Sequence, residues 1–127
     1  MADVLVDTSV WIDFFRSEQG RPGDLLDALL AEDRVVLCGI VEMEIFQGLR
    51  GRELAEVKSV FEVISYVDTT REDFIDSGML WQTLRRRGRT IPATDCLIAS
   101  LCLRHKMALF SLDEHFNHIG ELIRIKG

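Results

Sequence analysis

Four carboxylates stand where the chain changes character. Asp7 ends the apolar run of "VLVDTSVWIDFF", residues 4–15. Glu44 lies inside "VEMEIFQGL", Asp95 follows the proline of "IPATDCLIAS", and Asp113 comes just after the apolar start of "LFSLDEHFNHI". Acids set in apolar surroundings need a partner or a cation. Several of them meeting in one place would suit a hard divalent ion, Mg2+ or Mn2+, which takes oxygen ligands and leaves room for water and substrate phosphate. Such an ion can activate a water and stabilise charge at phosphorus, the chemistry of phosphodiester hydrolysis. Ser9 and Ser111 lie two residues from Asp7 and Asp113 respectively, where their hydroxyls could orient carboxylates or hold water.

Each acid also has a purely structural reading. Asp7 can cap a helix that starts near Thr8 or Ser9. Asp95 in a first helical turn is favoured by the helix dipole alone. Asp113 can cap the short turn "EHF", and Glu44 can be a solvated helix residue. Two observations favour a site. Glu44 is flanked by Met43, Ile45 and Phe46 in a segment so apolar that little of it is expected to face solvent. Asp95 opens "DCLIASLCL", again almost wholly apolar. Thr8 and Ser9 are enough to start the first helix, which leaves Asp7 free as a ligand. Asp13 reads as a solvated acid.

The elements that must position these acids follow from the pattern. "DVLVD", "RVVLCG", "SYVD", "MALFS" and "ELIRI" read as five short strands, most of them continuously apolar. Between them, "SVWIDFFRS", "DLLDALLAE", "IVEMEIFQGL", "ELAEVKSVFEVI" and "REDFIDSGMLWQTLRRR" read as helices, and a further helix begins near Thr94. "GRPG", residues 20–23, reads as a turn. Apolar strands alternating with helices predict one α/β domain over residues 1–127, with a mainly parallel sheet covered on both faces. Ligands of such sheets gather at the carboxyl ends of the strands where strand order reverses. Asp7 and Asp113 would share that crevice if the first and fourth strands are neighbours.

Composition excludes several classes. Hydrophobic residues make up 47% and charged residues 28%, so the chain is neither disordered nor membrane-spanning. A net charge of -6 speaks against gripping nucleic acid through bulk positive charge, but a site built of carboxylates is acidic by construction. Cys38, Cys96 and Cys102 lack CxxC spacing and read as buried thiols in a reducing cytoplasm. Asp3 and Asp7 interrupt any secretory signal.

Other features are weaker. Arg85, Arg86, Arg87 and Arg89 of "RRRGR" could meet RNA phosphates or acidic groups of a partner, or simply complement a helix end. "RGR" at 50–52 reads the second way. His115 and His118 read as surface residues, because no third metal-ligand spacing accompanies them. Trp11 and Trp81 read as packing residues in the core or at a dimer interface.

The four acidic segments, in this order and with these neighbours, resemble the motifs of PIN-domain ribonucleases, and above all the VapC toxins of type II toxin–antitoxin modules. The resemblance spans essentially the whole chain. It implies that Asp7, Glu44, Asp95 and Asp113 are the catalytic, metal-binding acids, with Gly48 completing the E-x-x-x-G helix that Glu42 cannot. Ser111 stands where threonine also occurs in the T/S-x-D-x-x-F segment, and Phe116 completes it. The implied fold is a PIN-like three-layer α/β/α sandwich on a five-stranded parallel sheet of order 3-2-1-4-5. The implied cofactor is Mg2+ or Mn2+. The implied partners are structured RNA (tRNA or rRNA, cut to inhibit translation), a VapB-type antitoxin whose C-terminal segment covers the site, and a second copy in a homodimer. An aspartate-based phosphoryl-transfer domain is the competing reading. The haloacid-dehalogenase type lacks its second acid in "DTSVW", and a receiver-like reading of Asp68 and Lys126 leaves Glu44 and Asp95 without a role.

Overall fold

The computed structural model describes residues 2–16 and 21–125, and its frame is a parallel sheet made from the apolar runs. The strands are β1 (Val4–Val6), β2 (Val35–Cys38), β3 (Ser65–Val67), β4 (Ala108–Phe110) and β5 (Arg124–Ile125). Their order is β3-β2-β1-β4-β5, and every pairing is parallel. The expected order of 3-2-1-4-5 is therefore the observed one. β1, β2 and β4 are buried along their whole length, which is why they read as unbroken apolar runs rather than alternating ones. β3 is an edge strand and stays largely exposed.

Six helices return the chain between strands: α1 (Thr8–Phe15), α2 (Arg21–Ala31), α3 (Gly39–Gly48), α4 (Arg52–Phe61), α5 (Arg71–Arg86) and α6 (Ala93–His105). Two expectations are corrected here. "GRPG" is not a turn: the helix begins at Arg21 and takes in Pro22 and Gly23, while Gly20 lies outside the described residues. Proline near the start of a helix loses no hydrogen bond, so the two residues that signal a turn fit a first turn equally well. "ELIRI" supplies only a two-residue strand, Arg124–Ile125; before it Leu122 enters the core and Ile123 faces solvent.

The core runs continuously from the sheet into the helices on both faces. α1 delivers Trp11, fully buried and stacked on Phe15 with ring centroids 5.7 Å apart, and Phe61 of α4 meets the same ring edge-on at 5.1 Å. Trp81 behaves differently and remains 37% exposed on α5. α6 is the central helix, with every residue from Cys96 to Cys102 buried. All three cysteines are buried and free. Among the described residues no helix is long and apolar enough to cross a membrane.

α5 is tied to α6 through one buried acid. Asp73 caps α5 reciprocally with Thr70, taking the Thr70 amide at 2.8 Å and its hydroxyl at 3.0 Å. Its other oxygen faces Arg104 at 3.4 Å and His105 at 3.6 Å, both from the end of α6. Burial pushes the Asp73 carboxyl up, but the Thr70 hydrogen bonds and the charges of His105 and Arg104 together hold it below its ordinary value. A lowered folded value means that the ionised group stabilises the fold above the unfolded carboxylate range and loses that contribution as pH falls through the folded value. Asp73→Ala is expected to cost about 1–2 kcal/mol in urea unfolding at neutral pH, most of it from the lost cap, because Arg104 and His105 are partly solvated. The gap to the parent chain should narrow below about pH 4.

Candidate active site

The register of β1 against β4 sets the site. Val6 stands opposite Phe110, and the Asp7 amide donates to the Phe110 carbonyl at 2.9 Å. Asp7 and Ser111 therefore leave the sheet side by side. Ser111 Oγ donates to Asp7 Oδ2 at 2.7 Å, and Ser9 Oγ donates to the same oxygen at 2.9 Å. Asp7 is only 5% exposed, so this carboxylate is buried, and two hydroxyls hold it.

The capping reading of Asp7 fails. Asp7 occupies the N-cap position of α1, but its side chain makes no cap hydrogen bond. Its backbone carbonyl instead accepts from the Val10 and Trp11 amides. The helix begins at Thr8 as expected, but neither the Thr8 nor the Ser9 hydroxyl caps it. Thr8 Oγ1 reaches across to Glu44 Oε1 at 2.8 Å, and Ser9 Oγ accepts from the Leu112 amide at 3.0 Å while it holds Asp7.

Glu44 arrives on α3, which follows β2. The helix is less buried than its composition suggests: Val41 and Ile45 enter the core, while Met43 is 50% and Phe46 37% exposed. A helix laid on a sheet buries one stripe, so the remaining apolar residues must face outward. Glu44 is half-buried because it points at Thr8, not because its helix is enclosed.

Asp95 sits in the first turn of α6, just inside Pro92. Asp113 begins the 3-10 turn Glu114–His118 and caps it by accepting from the His115 amide at 2.9 Å. Ser111 Oγ accepts from the Asp113 amide at 3.0 Å, and Arg124 donates to the Ser111 carbonyl at 3.1 Å. Ser111 therefore links the Asp7 carboxylate to the turn that carries Asp113. The same turn brings in His115, a surface residue as expected, whose ring nonetheless reaches two of the acids. Its Nδ1 lies 2.9 Å from Asp95 Oδ2 and 3.1 Å from Asp113 Oδ1. Asp95, Asp113 and His115 each offer an atom within 4.8 Å of the others, and they form the tightest potential metal-binding group among the described residues. The available signal was the Asp-x-His spacing on a capped turn; nothing in the sequence pointed across to Asp95. His118 is exposed and outside this group.

The acids act on one another. Burial pushes the Glu44 carboxyl up, the Thr8 hydrogen bond pulls it back, and the charges of Asp7 and Asp95 raise it further. Asp95 is likewise raised, first by burial and then by Asp113 and Asp7, with the His115 hydrogen bond in opposition. His115 is held above its ordinary value by its bond to Asp95 and by the charge of Asp113. The arrangement thus concentrates negative charge at the carboxyl end of the central strands and sets one imidazole against it.

The arginines do not join this group. Arg85, Arg86, Arg87 and Arg89 are exposed at the end of α5, where Gly88 takes a left-handed φ of 78°. Arg85 bonds Thr90 and Arg86 bonds Gln82, both local contacts. The receiver-like reading fails on topology. Asp68 follows the edge strand β3, two strands away from β1, and so stands about 10 Å from the Asp7 crevice. Lys126 lies outside the described residues.

A sequence profile of the PIN domain matches residues 4–122. The chain belongs to the PIN domain family. Within it, this chain is similar to the ribonuclease VapC11 of Mycobacterium tuberculosis, at 27% identity over 97% of this chain and 96% of that protein. Its fold is similar to that of a chain in DNA-bound VapBC from Salmonella typhimurium, with a TM-score of 0.82, 19% identity and 98% of both chains covered. VapBC-5 from Mycobacterium tuberculosis, a member of the VapBC family of toxin-antitoxin systems, is similar at a TM-score of 0.73 and 19% identity over the whole of both chains.

A carboxyl group whose folded value is raised weakens the fold while it is ionised, and the loss is relieved as pH falls through that value. Removing the Glu44 charge but keeping the oxygen that accepts from Thr8 should therefore stabilise this PIN domain when no divalent ion is present. Glu44→Gln in EDTA at pH 7 is expected to raise the melting temperature by roughly 2 °C in a calorimetric scan, and the gain should shrink when the scan is repeated near pH 4.5.

Proposed function

We propose that this chain is a metal-dependent endoribonuclease toxin, neutralised by a VapB-type antitoxin, with Asp7, Glu44, Asp95 and Asp113 as its catalytic acids. The observation that carries this reading is the convergence of these acids from four separate elements on one crevice, with burial and mutual repulsion raising both Glu44 and Asp95. The likeness to a VapC ribonuclease over nearly the full length supports the RNA-cleaving activity, and the VapBC folds support the toxin–antitoxin pairing. Structured tRNA or rRNA is the target class, cut so as to inhibit translation.

The donor set fits Mg2+ or Mn2+: four carboxylates, partly wet, with hydroxyls beside them and no Lys or Arg bonded to any of the four carboxylates among the described residues. A bound ion of this kind would supply Lewis acidity at the phosphoryl oxygen and lower the pKa of a water. The chain's own part is positional. Ser9 and Ser111 fix one oxygen of Asp7 and leave the other for ligation. Thr8 holds one oxygen of Glu44, and its partner oxygen can accept the proton of an attacking water. Asp95 and Asp113 come together on the ring of His115.

A face of α5 supports the homodimer. Ile75 and Met79, four residues apart, are each more than half exposed and share one side of that helix. Met79→Glu is expected to convert a dimer to a monomer in sedimentation without lowering the melting temperature.

Cleavage itself is tested with total RNA, Mg2+ or Mn2+, and an EDTA control. Asp7→Asn and Asp95→Asn should each lower the rate by more than about a hundredfold, while Ser111→Ala, which only orients Asp7, should lower it by about tenfold. Metal-dependent cleavage that survives both aspartate substitutions would sink the site assignment.

A further inference from the structure

We propose that His115 is a nitrogen ligand of the divalent ion in this crevice and tilts the site from Mg2+ toward a transition-metal ion, in the first place Mn2+. The inference rests on the reading of the crevice as an ion site, and it concerns a residue outside the four acids.

The geometry comes first. Two ligands on adjacent corners of an octahedron, each about 2.1 Å from the ion, stand about 3.0 Å apart. His115 Nδ1 lies 2.9 Å from Asp95 Oδ2 and 3.1 Å from Asp113 Oδ1, separations that match adjacent corners sharing one nitrogen. The turn that delivers the ring is anchored at two adjacent residues. The His115 amide is bonded to Asp113 Oδ1, and the next residue, Phe116, is fully buried. The ring is half exposed, but its backbone has little freedom to carry it elsewhere.

Chemistry then gives the direction of the preference. Mg2+ seeks oxygen donors and holds its waters tightly, whereas imidazole nitrogen is a ligand for transition ions. Two carboxylates and one imidazole form a mixed donor set, which gives Mn2+ a contact that Mg2+ uses poorly. The chain's three histidines separate cleanly in this respect: His105 faces Asp73 at the far end of α6, His118 is exposed outside the group, and only His115 reaches the acids. The rival arrangement is a ring proton shared between two carboxylates, which would order the turn but give no bond to an ion.

Pulsed electron paramagnetic resonance of the Mn2+-loaded chain distinguishes the two. The expected result is nitrogen modulation from a directly bound imidazole. It should change isotope signature when the chain is grown with 15N-histidine, persist in His118→Gln and vanish in His115→Gln. In metal titrations, His115→Gln should lower the preference for Mn2+ over Mg2+ by about tenfold. Bound Mn2+ without nitrogen modulation in the parent chain, or modulation that survives His115→Gln, overturns the proposal. Asp95→Asn tests the underlying site separately. If it leaves Mn2+ affinity unchanged, the ion is elsewhere and both readings fall; if it abolishes binding while the parent shows no nitrogen modulation, only the role of His115 falls.

Discussion

The parallel pairing of β1 with β4 is the constraint on which the site depends. It places Asp7 beside Ser111 at the point where two buried strands end together. A carboxylate there is costly, because the sheet below it is apolar and water reaches it poorly. The chain answers with two hydroxyls on a single oxygen. Hydroxyls orient a charge without cancelling it. Everything else in the crevice is arranged around that uncancelled charge: Glu44 through Thr8, Asp113 through Ser111, and Asp95 through the imidazole of His115.

The contrast with Asp73 is instructive. Asp73 and Asp95 both stand in the first turn of a helix. Asp73 has its charge matched by Arg104 and His105 and falls below its ordinary value. Asp95, only partly buried on the neighbouring helix, rises instead because other acids face it. The same chain thus neutralises an acid where structure is needed and leaves acids opposed to one another at the crevice. That difference separates a structural carboxylate from a site more sharply than burial does, since Asp73 is the more buried of the two.

Much of the frame was legible in the residues. Strands covered on both faces must be apolar throughout, so β1, β2 and β4 announced themselves, and the four acids stood out because they interrupt such runs. What escaped notice has physical reasons. The start of α2 was hidden because proline and glycine serve a first helical turn as well as they serve a loop. The exposure of Met43 and Phe46 was hidden because composition does not say which stripe of a helix faces the sheet. His115 was missed because its significance lies in a contact between residues twenty apart in sequence, made by the fold and not by any local spacing. The first helix taught the converse lesson: Thr8 and Ser9 have the chemistry of caps, yet tertiary partners took their hydroxyls.

The two ends of the Asp7–Ser111 bond are separated by 104 positions along the chain. No shorter piece of the polypeptide can hold the crevice together, because the strand that carries Asp7 has its neighbour near the far end of the sequence. A fragment that stops before β4 therefore lacks the strand that fixes Asp7, and one that starts after β1 lacks Asp7 itself, so the crevice exists only when both distant strands are in the sheet together.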